Sequence, residues 1–172
     1  MAYSVVRVNP TVDTSAYADG DVLFVNTEFG LPSSSAKLVN GYVIDKDKQL
    51  QSEDVIFYFF QENEADLGTI NLSANISDAN FLSNKFLGAV NILDQVESVD
   101  LDFLDVHKMV TYGAISDGAS TAVPLDVMMQ SSSRSSSNLY PVYVTAFIQV
   151  VGSTAPNFTN ADALELVLHF EY

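Results

Sequence analysis

The chain predicts a mainly β fold: a two-sheet sandwich of jelly-roll-like topology with one short inserted helix. Three observations lead there. Short β-branched and aromatic runs recur along the 172 residues, with turn residues between them. Helical periodicity with caps at both ends occurs in a single stretch. The apolar share, 48%, is that of a globular chain. One domain is expected at this length, because such a chain buries about 70% of its unfolded surface and needs no staple. We divide it into a strand or arm over residues 1–12 and a sandwich over residues 13–172.

Tyr3–Val8 reads as that arm, ended by Asn9 and Pro10. Asp13–Ala18 is polar and turn-like, Asp19-Gly20-Asp21 is a turn, and Val22–Val25 is a strand. Gly30–Ser35 is a loop, since Gly and Pro punctuate and Ser competes for backbone hydrogen bonds. Leu38–Ile44 is a strand with Gly41 as a candidate bulge. Val55–Phe60 (Val-Ile-Phe-Tyr-Phe-Phe) is the strongest strand signal. It is apolar on both sides, so it must be covered on both, by a second sheet and a helix or by a neighbouring subunit. Gly68–Leu72 is another short strand.

The helix spans Asp78–Leu87. Ser77 suits the N-cap, Asp78 suits the first turn, and Gly88 is the stop. Ala79, Leu82 and Phe86 share one face. Ser98–Val110 alternates with Val99, Leu101 and Phe103 inward, then slips at Phe103-Leu104 as a bulge would make it. Val123–Gln130 opens at Pro124 and is an edge strand. Ser131–Ser137 is low-complexity and is expected to be a mobile loop. Val142–Val151 and Leu164–Phe170 are strands, with a loop over Gly152–Asn160 between them.

The net charge is −15, from 22 acidic and 7 basic residues. No basic cluster is denser than Lys46 and Lys48, and Arg7 and Arg134 stand alone. Phosphate contacts dominate nucleic-acid affinity, so this distribution argues against nucleic acid and against an anionic membrane surface. It fits solubility and repulsion between surfaces. Cysteine is absent, which removes disulfides and thiolate chemistry. No signal peptide is expected from residues 1–7, which lack a basic region followed by an apolar stretch, and no run reaches the ~18 apolar residues of a membrane span.

Candidates for chemistry are few. There is no Gly-x-Ser-x-Gly elbow and no phosphate loop. His107 and His169 each fall within a strand, where a satisfied structural role is expected. Asp19/Asp21, Asp45/Asp47 and Asp100/Asp102 are carboxylate pairs two residues apart, about 7 Å along a strand. Calcium wants six to eight oxygens from flexible loops, and the first two pairs lie in turns. With 15 Asp in the chain such pairs also arise by chance, so no metal or cofactor is expected. Glu62 and Glu64 are read as a solvated loop rather than as facing glycosidase acids. Asn71, Asn75 and Asn157 match a glycosylation pattern that has meaning only in a secreted protein. Nineteen Phe and Tyr with no Trp argue mildly against a sugar platform. Exposed aromatic loops around Phe29, Tyr140 and Phe158 would favour one. No enzymatic activity is expected.

Three segments together resemble a known family. Asp13–Val22 resembles the Asp-Thr-x-Ala-Tyr-x-x-Gly-Asp opening of a family of small phage proteins, often from marine phages. Val55–Ile92 is similar to its centre: a hydrophobic strand, an acidic Phe-x-x-Asn segment at Phe60–Asn63, then Ile76-Ser77-Asp78-Ala79 and Leu87-Gly88. Tyr143–Val151, Gly152–Phe158 and Asn160–Leu166 are similar to its close. There the family's Arg is Val151 here, and its Thr-Pro-Thr-Tyr is Ala155-Pro156-Asn157-Phe158. These motifs are turns and caps, not catalytic groups. The resemblance implies a virion structural protein made in the host cytoplasm, a capsid decoration (cement) subunit. Its expected partners are the major capsid protein or other virion proteins, and its own copies in a closed oligomer, a trimer by preference. The alternatives are a tail or fibre module binding a host glycan, or a hydrolase on a jelly-roll scaffold.

Overall fold

The computed structural model describes residues 2–93, 98–111, 125–150 and 154–172. The described strands are β1 (Tyr3–Val8), β2 (Val22–Leu31), β3 (Ser35–Asp45), β4 (Asp54–Phe60), β5 (Phe86–Ile92), β6 (Ser98–Asp100), β7 (Asp105–Lys108), β8 (Val110–Thr111), β9 (Val127–Gln130), β10 (Tyr140–Val150) and β11 (Leu164–Glu171). One helix, α1 (Asp78–Ser83), interrupts them. The strands form two antiparallel sheets. One has the order β1-β11-β3-β7-β6, with β9 also paired to β3; the other has the order β2-β10-β4-β5-β8.

The core lies between the sheets. Phe24, Phe57, Phe59 and Val144 face it from one side, and Leu38, Val43, Leu166 and Phe170 from the other. Phe29 joins the two, stacked on Phe170 at 5.9 Å and edge-on to Phe59 at 6.3 Å. Burying each such ring is worth about 1.5–3 kcal/mol. Val8 and Val12 also belong to this core, so the arm is anchored at its end. β1 itself is laid antiparallel on β11 of its own chain, with Tyr3 opposite Glu171 and Val8 opposite Leu166.

β4 is covered on both sides, by the second sheet and by the segment that carries α1. Val55, Phe57 and Phe59 enter the main core. Ile56 and Phe60 enter a second cluster with Val22, Leu67 and Phe147, against which Tyr58 and Phe81 pack. Phe81 of α1 meets Phe60 edge-on at 5.2 Å and Phe86 at 5.0 Å.

Several expectations are corrected. The helix ends at Ser83, not Leu87: Asn84 caps it and Lys85 turns with φ 55°. Ala79, Leu82 and Phe86 share no buried face; Leu82 is exposed, and Phe86 begins β5. Gly88 therefore lies inside a strand. Gly68–Leu72 is not a strand and makes one isolated bridge, Val22 to Ile70, because Gly68 (φ 140°) and Asn71 (φ 56°) break the extended backbone. Ser98–Val110 is a tight β6–β7 hairpin turned at Asp102 (φ 69°), not one bulged strand. Its Val99, Leu101 and Phe103 face outward, and Asp105 and His107 face inward.

The remaining differences concern ends of elements. β2 runs through Gly30 to Leu31, and β3 starts at Ser35, which shortens the loop between them. The irregularity in β3 falls at Val39: Asn40 and Leu38 face the adjacent His169 and Phe170, and Gly41 stays in register. Within Val123–Gln130, the strand covers Val127–Gln130 and, among the described residues, pairs with β3 alone, as an edge strand does; Val123 and Pro124 lie outside the described residues. Ser131–Ser137 holds no strand or helix, yet Ser131 is buried and its N–H donates to the Ser34 carbonyl. Val151–Ser153 lie outside the described residues.

Candidate functional site

The three carboxylate pairs serve different ends. Asp21 is buried at the start of β2 and accepts from the Ala18 N–H at 2.7 Å. Asp45, at the end of β3, is fully buried and accepts the N–H groups of Asp47, Gln49 and Leu50 at 2.6–3.1 Å. Burial nonetheless pushes its carboxyl above the usual range, with the Asp105 charge adding to the rise. Asp47 accepts from the Thr159 N–H and hydroxyl and from the Asn160 N–H. Burial works against ionisation there, but these donors outweigh it and hold the carboxyl below its usual range. Both residues thus shape the turn after β3 and tie it to the segment before β11. Asp100 and Asp102 are exposed on the β6–β7 hairpin.

A group that the sequence reading passed over sits beside them. Asp105 lies opposite Asp45 across the β3–β7 ladder. It is 1% exposed, and neither carboxylate oxygen has a hydrogen-bond partner. The Lys48 ammonium is 4.0 Å from Asp105 Oδ1 and 2.7 Å from Asp100 Oδ1. Asp100, Asp105, Gln51, Ser52 and Ser98 line a pocket of about 390 Å³. The signal available in the sequence was Asp105-Val106-His107, an alternation that a reader assigns polar side outward.

His107 also faces inward, with Nε2 buried and unpaired, so it is not the satisfied histidine expected. Burial lowers its pKa, against the pull of Asp105. His169 packs edge-on to Tyr42 at 5.8 Å. Glu62 accepts from Lys85 and Ser132, while Glu64 is exposed and its N–H donates to Asn84 Oδ1. Asn71 donates to Asp13 Oδ1, and Asn75 and Asn157 are exposed. Phe29 and Phe158 are buried, and Tyr140 is half-buried under Arg134, 5.2 Å away. The aromatic loop platform that a glycan reader would display is therefore not assembled from these three.

The outer edge of β1 is unpaired among the described residues. Ala2 and Tyr172 exchange both backbone hydrogen bonds across the β1–β11 ladder. Alternation along an antiparallel pair then turns the N–H and C=O of Val5 and Arg7 away from β11. The Val5 side chain is 58% exposed, and Arg7 pairs with Glu165. A second apolar display is the hairpin tip, where Phe103 is 73% exposed beside Leu101 and Val99.

Among the described residues, no three His, Cys, Asp or Glu side chains are grouped so as to hold a metal ion by themselves. No described helix is long and apolar enough to cross a membrane. No protein-family model matches the chain, and neither a curated protein nor a solved structure is similar to it.

Proposed function

We propose that the chain is a non-enzymatic virion structural protein, a capsid decoration subunit that binds and stabilises a phage head as a closed homo-oligomer. The observation that carries this reading is the outer edge of β1. Unpaired, outward N–H and C=O groups at Val5 and Arg7 are a template for a strand from another chain. Pro10 lies beyond the strand and does not block it. The exposed Val99, Leu101 and Phe103 supply a separate apolar contact of the kind that marks interaction surfaces.

The strand order supports the jelly-roll reading. With β6, β8 and β9 set aside, the first strand pairs with the last, the second with the next to last, and so on inward: β1 with β11, β2 with β10, β3 with β7, β4 with β5. That nesting is what a long hairpin makes when it rolls into two sheets. Viral capsid and lectin domains both use this architecture, so the fold alone does not choose between head and host-glycan binding. The buried Phe29 and Phe158 favour the head. The family resemblance and the acidic charge, which keeps particles apart, point the same way.

Quantitative mass spectrometry of purified virus particles from the source of this gene tests the reading. A near-stoichiometric ratio to the major capsid protein is expected. A few copies per particle would move the protein to the tail or neck, and absence from the particle would end the virion assignment.

A further inference from the structure

The pocket between the turn after β3 and the β6–β7 hairpin points to a cation site. We infer that Asp100 and Asp105 are charged ligands of a weakly bound calcium-class ion there, with Lys48 as the built-in competitor. The argument starts from Asp105. A carboxylate this deeply buried loses its hydration, and proteins compensate such groups by pairing, hydrogen bonding or metal coordination. The Asp105 carboxylate has no hydrogen bond, and the Lys48 ammonium, 4.0 Å away, is engaged with Asp100. Asp45 directly opposite is a second buried carboxylate, which deepens the negative potential at Asp105. Its own oxygens are occupied by three backbone N–H groups, so it contributes field and not ligands.

The remaining lining selects the ion. Gln51, Ser52 and Ser98 add neutral side-chain oxygens to the two carboxylates, and no thiol or imidazole. Hard oxygens without thiol or imidazole suit calcium, which tolerates irregular coordination of six to eight oxygens, better than magnesium, which demands an octahedron. Two charged ligands with water completing the shell place affinity in the weak range, a dissociation constant of about 10⁻⁴–10⁻³ M. Lys48 reaches the pocket from the turn, and its side chain is partly exposed, so it can swing out when an ion enters. The ion would then clamp the turn to the hairpin that displays Val99, Leu101 and Phe103.

Thermal unfolding of the full chain, with calcium, magnesium or sodium chloride at matched ionic strength, tests the site. At 10 mM calcium the wild type is expected to gain about 3–6 °C in Tm over sodium. Asp105→Asn and Asp100→Asn should each lose that gain; the second alters an exposed side chain and leaves the fold intact. Lys48→Gln should shift the calcium response to roughly tenfold lower concentration, since the competing charge is gone. A wild-type gain no larger than with sodium overturns the assignment. So does an equal gain in Asp105→Asn, which would mean diffuse screening of the −15 charge.

Discussion

Gly88 and Val127 stand in contact across the sandwich, β5 of one sheet against β9 of the other. A Cβ on Gly88 would lie 2.5 Å from Val127 Cγ1, closer than carbon atoms pack. The glycine thus marks a close approach of the two sheets, and it does not end a helix. Gly88→Ala is expected to destabilise by about 1–3 kcal/mol through overpacking. Val127→Ala also destabilises, by opening a gap. The double variant should recover part of the sum, because the added and the deleted methyl groups share one space. Urea unfolding of the four proteins measures the coupling; purely additive effects would show that the contact is not the cause.

Asn84 holds the covering segment on the outer face of β4. Its Oδ1 accepts the N–H groups of Glu64 (2.8 Å) and Ala65 (3.0 Å), and its Nδ2 donates to the Ala65 carbonyl (2.8 Å). The side chain is fully buried. Asn84→Ala leaves three backbone groups without partners and should cost about 2–4 kcal/mol. Asn84→Asp keeps the acceptor and loses the donor, so it should fall between the two. Hydrogen exchange should speed up at Phe60 and Phe147, which the segment shields. Unchanged exchange there would mean that the aromatic cluster holds without the Asn84 clasp.

His107 sets a pH dependence. Its ordinary pKa is 6.5, and burial lowers it in the folded state. Between that lowered value and 6.5 the unfolded chain binds a proton that the folded chain refuses. Stability is therefore full above about pH 7 and is lost as pH falls through 6.5, by up to ~1.4 kcal/mol per pH unit. Asp45 acts with opposite sign. Its raised carboxyl lets the folded chain bind a proton first, so its contribution grows as pH falls through the folded value toward 3.8. His107→Gln should flatten the slope between pH 7.5 and 5.5. A slope that survives the substitution would place its origin elsewhere.

The alternating Leu164–Phe170 was legible because its residues repeat with the period of a pleated strand, and burial largely follows that period. Val55–Phe60 was legible for another reason, an unbroken β-branched and aromatic run of strand length, buried on both faces. β5 was not legible. Ala79, Leu82 and Phe86 mimic a helical face across the break at Lys85, and a glycine after them mimics a stop. The hairpin was read with its faces inverted. Periodicity assumes apolar inward, but β6 ends its sheet on the side away from β1, with all three residues exposed, while Asp105 and His107 turn to the interior. The cation pocket was missed for the same reason. Asp100 was singled out with Asp102, its neighbour in sequence, whereas its partner in space is Asp105, across a turn.

The edge of β1 can be tested with proline, because a proline in a strand is tolerated only where the missing N–H points away from the ladder. The Val5 N–H points away from β11, and the Val6 N–H points toward it, by the alternation set at Ala2 and Tyr172. Val5→Pro should therefore leave stability within about 1 kcal/mol of wild type, whereas Val6→Pro, which loses a ladder bond and strains the strand, should cost about 3 kcal/mol. The two variants differ by one position and one hydrogen bond, so the contrast checks the register directly. It also checks the edge as a docking surface, since Val5→Pro keeps the strand and removes the donor an added strand needs. If the protein assembles through this edge, wild type should sediment as an oligomer at concentrations where Val5→Pro sediments as a folded monomer. Equal sedimentation of the two, with both folded, would remove β1 from the interface and leave the Val99–Phe103 hairpin as the surface to test next.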